Sequence, residues 1–276
     1  MSPEGQGRRR LFDPSSPIFA LQWSLIAVVV TVQGDPRRAA FGAGVALLGL
    51  IWRRLTVSPL FWSMAAGILI VWSFLELPLL DNTAALLMFW TAAVAVSLFT
   101  EDWVETLAEN ARWVMAGVFG LAVFWKVVSP DYLSGAFFEW TLLVDPRFEP
   151  LTRLFGADPS GLAANREMVA AGVSGALHSG GLVPLAAGAF TWGTLAIEGA
   201  VAALWALGER AGIWRHVALV VFATATYIII PVAGFAVTLI AMAMASVRTP
   251  RARIAYAAGA IAVFVYSVVF TRLVLG

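Results

Sequence analysis

Long apolar runs separated by short polar connections dominate the pattern of this chain. About 20 consecutive apolar residues cross a bilayer as a helix, because in lipid only a helix satisfies its own backbone hydrogen bonds. The pattern predicts nine such segments, at 16–33, 39–52, 57–80, 83–99, 111–129, 182–208, 214–230, 231–247 and 253–275. The segment 39–52 is short, so eight crossings are the alternative. We therefore predict an all-α polytopic membrane helical bundle that forms a single transmembrane domain over residues 1–276.

Residues 130–181 form the only long connection between the predicted spans, and we expect this connection to contain short helices. Connections of this length usually carry a function or a structure of their own. The stretch 134–144 is too short to span a bilayer and too apolar to lie free in water. It predicts a re-entrant or interfacial helix that ends at Asp145-Pro146, because the residue before proline disfavours the helical conformation. Residues 101–112, with acidic side chains along one side, predict a separate surface helix.

Arginine clusters predict the direction of the spans, because positive residues in short loops favour the cytoplasmic side. With nine spans, all clusters but one fall on the same side, and the exception is Arg37 with Arg38. We expect the amino terminus inside, the carboxyl terminus and 130–181 outside, and a location in the cell (inner) membrane. No signal-peptide cleavage pattern follows the first span, so we expect that span to be retained as an anchor.

The composition agrees with lipid as the main solvent of the chain. Hydrophobic residues make up 60% and charged residues 13% of the sequence, against roughly 45–50% and 25% in soluble domains. The absence of cysteine excludes disulfides and thiolate metal sites, and a net charge of +1 gives no indication of a nucleic-acid partner. Gly42, Gly44 and Gly49 predict places where helices approach closely.

Charged side chains inside the spans are the candidates for chemistry, because they are costly in lipid. There are four: Glu76, Lys126, Glu198 and Arg272. Arg272 lies near the end of the last span and can extend to the interface, and Glu76 could equally be a solvated carboxylate at the rim. Glu198 lies roughly 24 Å from the outer end of its span at 1.5 Å per residue. There we favour a helix–helix hydrogen-bond anchor slightly over a catalytic role.

Lys126 is the single lysine beside 17 arginines, and it lies within a turn of the outer end of its span. A lysine can lose its proton when desolvated, whereas an arginine stays charged. A site that needs a neutral amine therefore needs lysine, and we expect Phe124, Trp125 and the apolar stretch after Ser134 to exclude water from it. The alternative is that Lys126 only extends to the membrane surface.

Other chemistries have weaker support in the sequence. His178 and His216 are the only histidines and are expected on opposite sides of the membrane, so we predict no metal site. The segment 172–176 resembles a nucleophile elbow without its final glycine, and no strand precedes it. Ser174 and His178 would be one helical turn apart, a spacing that often arises by chance.

The segment Lys126-Val-Val-Ser-Pro-Asp-Tyr-Leu-Ser-Gly135 resembles the lysine-containing segment of the vitamin K-dependent γ-carboxylase family. This family includes bacterial relatives, the horizontally transferred transmembrane (HTTM) domain proteins. Three further stretches are similar in order: Asn82 at the start of the fourth span, 193–198 leading to Glu198, and 230–235 between two late spans. The resemblance covers residues 80–240.

The resemblance implies a helical membrane domain with a site open to the outer side. There Lys126 would act as a base on a quinol cofactor, which in turn generates the base that deprotonates glutamate for carboxylation. The same resemblance makes Asn82, Tyr132 and Glu198 candidates for cofactor binding.

The chain also departs from the family pattern. Thr83 stands where the family has a histidine after the asparagine, and residues such as Thr224 and Tyr227 replace a histidine and an asparagine before the late turn. The full carboxylases also have a large soluble region, which we expect to be absent here because the sequence stops at Gly276. We therefore expect a stand-alone HTTM-type protein that binds a quinone or another lipid-soluble ligand, rather than a γ-carboxylase. The alternatives are a proton-coupled small-solute transporter and a non-catalytic scaffold or maturation partner of an exported polypeptide.

Overall fold

The computed structural model describes residues 11–32, 36–75 and 82–272. In these ranges the chain is all-α and contains no strand, which confirms the predicted class. The α-helices are α1 Ile18–Thr31, α2 Pro36–Ile51, α3 Arg53–Thr56, α4 Pro59–Leu75, α5 Asn82–Ser97, α6 Trp103–Val128, α7 Pro130–Leu133, α8 Ala136–Val144, α9 Glu149–Leu154, α10 Pro159–Ala170, α11 Val183–Leu207, α12 Trp214–Tyr227, α13 Ala233–Ser246 and α14 Pro250–Phe270. Short 3-10 helices lie at Pro146–Phe148 and Gly208–Ala211.

Among the described residues, three helical segments are long and apolar enough to cross a membrane: Trp103–Val128, Val183–Ala211 and Pro250–Phe270. The helices α1, α4, α5 and α13 are apolar but shorter. By length and composition, these helices fit the prediction of a membrane protein.

The predicted surface helix at 101–112 is wrong as a separate element. The structure has one continuous helix, α6, which runs from Trp103 to Val128 and includes the whole of the predicted span 111–129 except its last residue. No proline or glycine interrupts the chain between Trp103 and Gly117, so the backbone hydrogen bonds continue where the polarity changes. Polarity changes which side chains are solvated, and it does not by itself end a helix.

The described residues form two compact units. The first takes residues up to Met115 together with Val232–Val268. Its core is α1 packed on α13, since nearly every residue of α13 from Ala236 to Ala245 is buried. Both α2 and α5 also pack on α1.

Small residues determine how closely the helices of the first unit approach. A Cβ atom at Gly42 would collide with the Val32 side chain, and one at Gly49 would lie 2.6 Å from the Leu25 side chain. The predicted close approach is thus confirmed at these two glycines. It is wrong at Gly44, where a Cβ atom would meet nothing within 4 Å.

The second unit takes residues Ala116–Pro231 and Val269 onwards. The helix α11 is central to it, because α8 packs against the first half of α11 and α12 packs along the same helix. The core between α11 and the connecting segment contains Leu142, Leu143, Phe148, Ala157, Leu162, Val183, Ala186 and Ala187. The predicted short helices between residues 130 and 181 are present as α7–α10, and the helix predicted at 134–144 is α8.

Candidate functional site

Lys126 and Glu198, which are 72 residues apart in sequence, form an ion pair in the second unit. The Lys126 Nζ donates a hydrogen bond to Glu198 Oε2. The side chain of Glu198 is 9% exposed and that of Lys126 is 21% exposed, so the acid is enclosed and the amine remains accessible on one side. Two of the four charged residues singled out in the spans are therefore partners.

The connecting segment explains why these two residues meet. Lys126 lies two residues before the end of α6, whereas Glu198 lies in the middle of α11. Near the start of α11, Val183, Ala186 and Ala187 share a buried cluster with Leu142 and Leu143 of α8, and α7 and α12 also pack on α11. The connecting segment therefore packs on the beginning of α11, and the contact of Lys126 with Glu198 lies further along this helix.

Gly135 allows the chain to turn back at this point. It precedes α8 with a φ of 86°, a left-handed conformation that glycine adopts without steric cost. A Cβ atom there would lie 3.7 Å from the backbone nitrogen of Gly188 on α11. The glycine therefore permits both the reversal between α7 and α8 and their contact with α11.

Tyr132, on α7, covers the amine of the ion pair. Its ring centroid lies 5.5 Å from Lys126 Nζ, a distance at which the ring attracts a cation. The side chain is 6% exposed, and its hydroxyl is buried without a hydrogen-bond partner among the described residues. A buried hydroxyl that lacks a partner is costly in a native structure and calls for a specific reason.

The surroundings of the Tyr132 hydroxyl keep it protonated. Burial, opposed by the neighbouring Thr194 side chain and assisted by the Glu198 carboxylate, raises the pKa of Tyr132 to about 12. Thr194 and Glu198 are four residues apart on α11 and therefore share one face of that helix. The phenol is thus a neutral hydrogen-bond donor that faces a polar stripe of α11.

Aromatic rings extend from Tyr132 into the connecting segment. The ring of Phe137 stacks on Tyr132 with centroids 5.4 Å apart, and Phe138 meets Tyr132 edge-on at 5.6 Å. Phe138 in turn contacts Phe190 on α11 at 5.8 Å. The apolar stretch after Ser134 therefore packs on Tyr132, and the Tyr132 ring in turn covers Lys126 Nζ.

The predicted cover by Phe124 and Trp125 is wrong. These side chains are 55% and 66% exposed, because residues one and two positions before Lys126 on a helix point to other sides. The groups that face the amine are Glu198 and Tyr132.

The remaining predicted site residues lie elsewhere. Asn82 begins α5 in the first unit, whereas Lys126, Tyr132 and Glu198 belong to the second. Arg272 is exposed, and Glu76 lies outside the described residues. No group of three or more metal-ligating side chains occurs in the described ranges.

Ser174 and His178 do not lie one helical turn apart. The segment that carries them has no helix. The backbone N–H of His178 donates to Asn165 Oδ1 at 2.7 Å, and Asn165 Nδ2 donates to the His178 carbonyl at 3.1 Å. The buried Asn165 thus fixes this part of the connection.

Sequence reasoning named Lys126 and Glu198 but missed that they are partners, and it missed Thr194. One available signal was that opposite charges inside apolar helices usually pair with one another. Compared with protein-family models, curated proteins and solved structures, the chain matches none.

Proposed function

We propose that this chain is a multi-pass membrane protein of HTTM type that binds a lipid-soluble ligand, such as a quinone, at Lys126, Glu198 and Tyr132. The observation that carries the proposal is the pairing of Lys126 with Glu198 beside the unpartnered Tyr132 hydroxyl. An intramembrane acid–base pair is costly to maintain and is commonly functional.

The membrane part of the proposal is nine crossings with the amino terminus inside and the site near the outer face. The three long apolar helices support it by length. The six shorter helices α1, α2, α4, α5, α12 and α13 would have to cross with their flanking residues. α14 supports it by its surface, since Ile254, Ile261 and Val265 are more than half exposed. Apolar exposure of this kind is expected where lipid is the solvent.

Cysteine labelling tests the orientation, and the cysteine-free chain makes single replacements unambiguous. A cysteine at Ser160 should react with an impermeant thiol reagent in intact cells. Cysteines at Glu209 and Thr249 should react only after the cells are opened. Labelling at Glu209 with protection at Ser160 would reverse the proposed orientation.

The residues of the site fit a ligand that carries an acceptor oxygen. The Tyr132 hydroxyl has a proton to donate and no hydrogen-bond partner among the described residues, so a carbonyl or hydroxyl oxygen of the ligand would satisfy it. The partly exposed Lys126 amine can reach the same oxygen or a second one. The half-exposed ring of Phe137, which stacks on Tyr132, offers an apolar face for a conjugated ring.

The proposed chemistry is proton transfer at the Lys126 nitrogen. A quinone supplies a reversible two-electron, two-proton couple when bound. Lys126 would give a proton to, or take one from, the ligand oxygen that Tyr132 holds. Glu198 would hold the Lys126 amine in place through the hydrogen bond between them.

Titration with a short-chain ubiquinone in lipid nanodiscs, followed by tryptophan fluorescence quenching, tests this proposal. We expect saturable binding to the wild type. Tyr132→Phe should weaken binding about tenfold, because one hydrogen bond to a buried polar group is lost. Lys126→Arg keeps the positive charge, so it should retain binding but lose proton exchange with bound quinol.

Matched variants separate the site from general effects on the protein. Glu109→Gln replaces an exposed glutamate on α6, and Tyr266→Phe replaces a tyrosine on α14. Both should bind as the wild type does. Equal binding by Tyr132→Phe and the wild type, or full proton exchange in Lys126→Arg, would contradict the proposal.

The ion pair also makes proton-coupled transport the second candidate. A lysine and a glutamate that exchange a proton inside a membrane could form part of a proton path. Proteoliposomes that carry a pH gradient distinguish the two functions. Proton flux that is abolished by Glu198→Gln and occurs without added quinone would favour transport.

A further inference from the structure

A second feature of the same unit is an open groove of about 540 Å³ on one face of α8. Along α8, Ala136, Phe137, Glu139, Trp140 and Leu143 contribute to its lining, and Asp131 and Leu177 complete it. Volumes of this size are typical of small-molecule sites.

The side chains of the groove combine negative charge with exposed aromatic faces. Phe137 and Trp140 are 49% and 50% exposed although they are among the largest apolar residues of the segment. Asp131 and Glu139 have no ion-pair partner among the lysines and arginines of the described ranges. No lysine or arginine of the described ranges therefore pairs with the two carboxylates of the groove.

The groove is held in place by hydrogen bonds from the connection that follows α10. Ser179 Oγ donates to Glu139 Oε1 at 3.1 Å, which leaves the second carboxylate oxygen available. Asn165 fixes the backbone of His178, next to Leu177 in the groove wall. Since the wall is already ordered, binding there would cost little rearrangement.

We propose that this groove binds an organic cation, namely a substituted ammonium group on an apolar body. Aromatic faces and carboxylates together recognise substituted ammonium ions, because the ring faces attract the cation and tolerate its alkyl groups. Leu143, Leu177 and Ala136 accommodate the apolar body. A hard metal ion fits poorly, since calcium requires six to eight oxygen ligands and five of the seven lining residues are aromatic or aliphatic.

The inference does not rest on the ligand proposed at Lys126, although Phe137 belongs to both sites. The two sites adjoin, since Phe137 lines the groove and stacks on Tyr132. The ligand classes differ, however: the ion-pair site offers donors to an acceptor oxygen, and the groove offers carboxylates to a cation.

Binding of benzyltrimethylammonium chloride, measured by calorimetry, tests the groove. The protein is placed in nanodiscs of digalactosyldiacylglycerol, a neutral lipid without an ammonium group, and empty discs give the background. We expect saturable binding of one cation per chain, and no comparable binding of uncharged benzyl alcohol.

Variants of the groove should weaken this binding while the protein stays folded. Trp140→Leu should lower the affinity about tenfold, as expected for loss of a partly desolvated cation–ring contact. Glu139→Gln should lower it to a similar extent, and the double variant Asp131→Asn/Glu139→Gln should lower it further. Glu167→Gln, an exposed carboxylate of α10 outside the groove, should bind as the wild type does.

Discs of phosphatidylcholine distinguish the two sources of the ammonium group. A lower probe affinity in these discs identifies a lipid headgroup as an occupant, and an unchanged affinity identifies a free amine. Absence of saturable binding in the galactolipid discs, equal affinity for benzyl alcohol, or wild-type affinity of the Glu139→Gln variant would overturn the proposal. None of these results depends on quinone binding at Lys126.

Discussion

Removal of one partner from the Lys126–Glu198 pair should destabilise the protein far more than removal of both. Breaking a buried pair typically costs about 3–5 kcal/mol, because the remaining charge is left without compensation. Lys126 retains 21% of its side-chain exposure, so we expect about 3 kcal/mol for Glu198→Leu, at the lower end of that range. A neutral hydrogen bond within a membrane contributes only about 0.6 kcal/mol on average.

The Glu198→Gln variant separates a charge pair from a neutral hydrogen-bond anchor. Glutamine keeps a hydrogen-bond acceptor but removes the charge that balances Lys126. A charge pair therefore predicts a loss for Gln close to that for Leu, whereas an anchor predicts that Gln retains most of the stability.

The double variant Lys126→Met/Glu198→Leu completes the cycle. Two apolar side chains of similar volume replace buried ion pairs with little net loss, so the double variant should lie within about 1 kcal/mol of the wild type. Reversible unfolding by dodecyl sulfate in mixed micelles, followed by circular dichroism, measures the stability of the wild type, Lys126→Met, Glu198→Leu and the double variant. The exposed Arg248–Glu105 pair, with side chains 82% and 62% exposed, provides a control cycle with an expected coupling of about 0–1 kcal/mol. If the two single losses at Lys126 and Glu198 add in the double variant, the two side chains do not interact and the reasoning fails.

Two further predictions concern packing and pH. Gly234→Ala should lower the free energy of unfolding by about 1–3 kcal/mol, because its Cβ atom would lie 2.9 Å from the backbone of α1. Gly67→Ala should raise it by about 0.5–1 kcal/mol, because a Cβ atom there meets nothing within 4 Å. Equal unfolding midpoints of the two variants would contradict this prediction. Burial opposes ionisation of Asp145, but hydrogen bonds and charge from Arg147 outweigh it and hold the pKa of that carboxyl below 3.8. The stabilisation is therefore present above about pH 4 and is lost as the pH falls through the lowered pKa. Arg147→Gln should cost up to about 1 kcal/mol at pH 7 and progressively less as the pH falls through that pKa. A pH-independent difference between variant and wild type would show that the Asp145–Arg147 contact is not responsible.

The positions of the helices were largely accessible from the sequence. Apolar runs bounded by proline, glycine or arginine predicted α8 and α11 to within two residues, because the boundaries are local properties of the chain. Continuity across 101–112 was not predicted, since a change of polarity was taken as a helix end.

The pairing of Lys126 with Glu198 was not accessible in the same way. Distances along single helices place Lys126 near one end of α6 and Glu198 in the middle of α11, which gives no indication that they meet. Their contact depends on how residues 130–182 stack against the first half of α11. That arrangement is a tertiary property, which rests on the Gly135 turn and on a core assembled from several short helices.

The most direct test of the proposed function is to identify the small molecule that copurifies with the protein. Organic extracts of the wild type and of Tyr132→Phe, purified in parallel from the same host, are compared by mass spectrometry, with Tyr266→Phe as the matched control. We predict a quinone, or another apolar molecule with an acceptor oxygen, in an amount near one per chain in the wild type and in Tyr266→Phe, and strongly reduced in Tyr132→Phe. Equal amounts of that molecule in all three proteins, or no such molecule in the wild type, would contradict the proposed site.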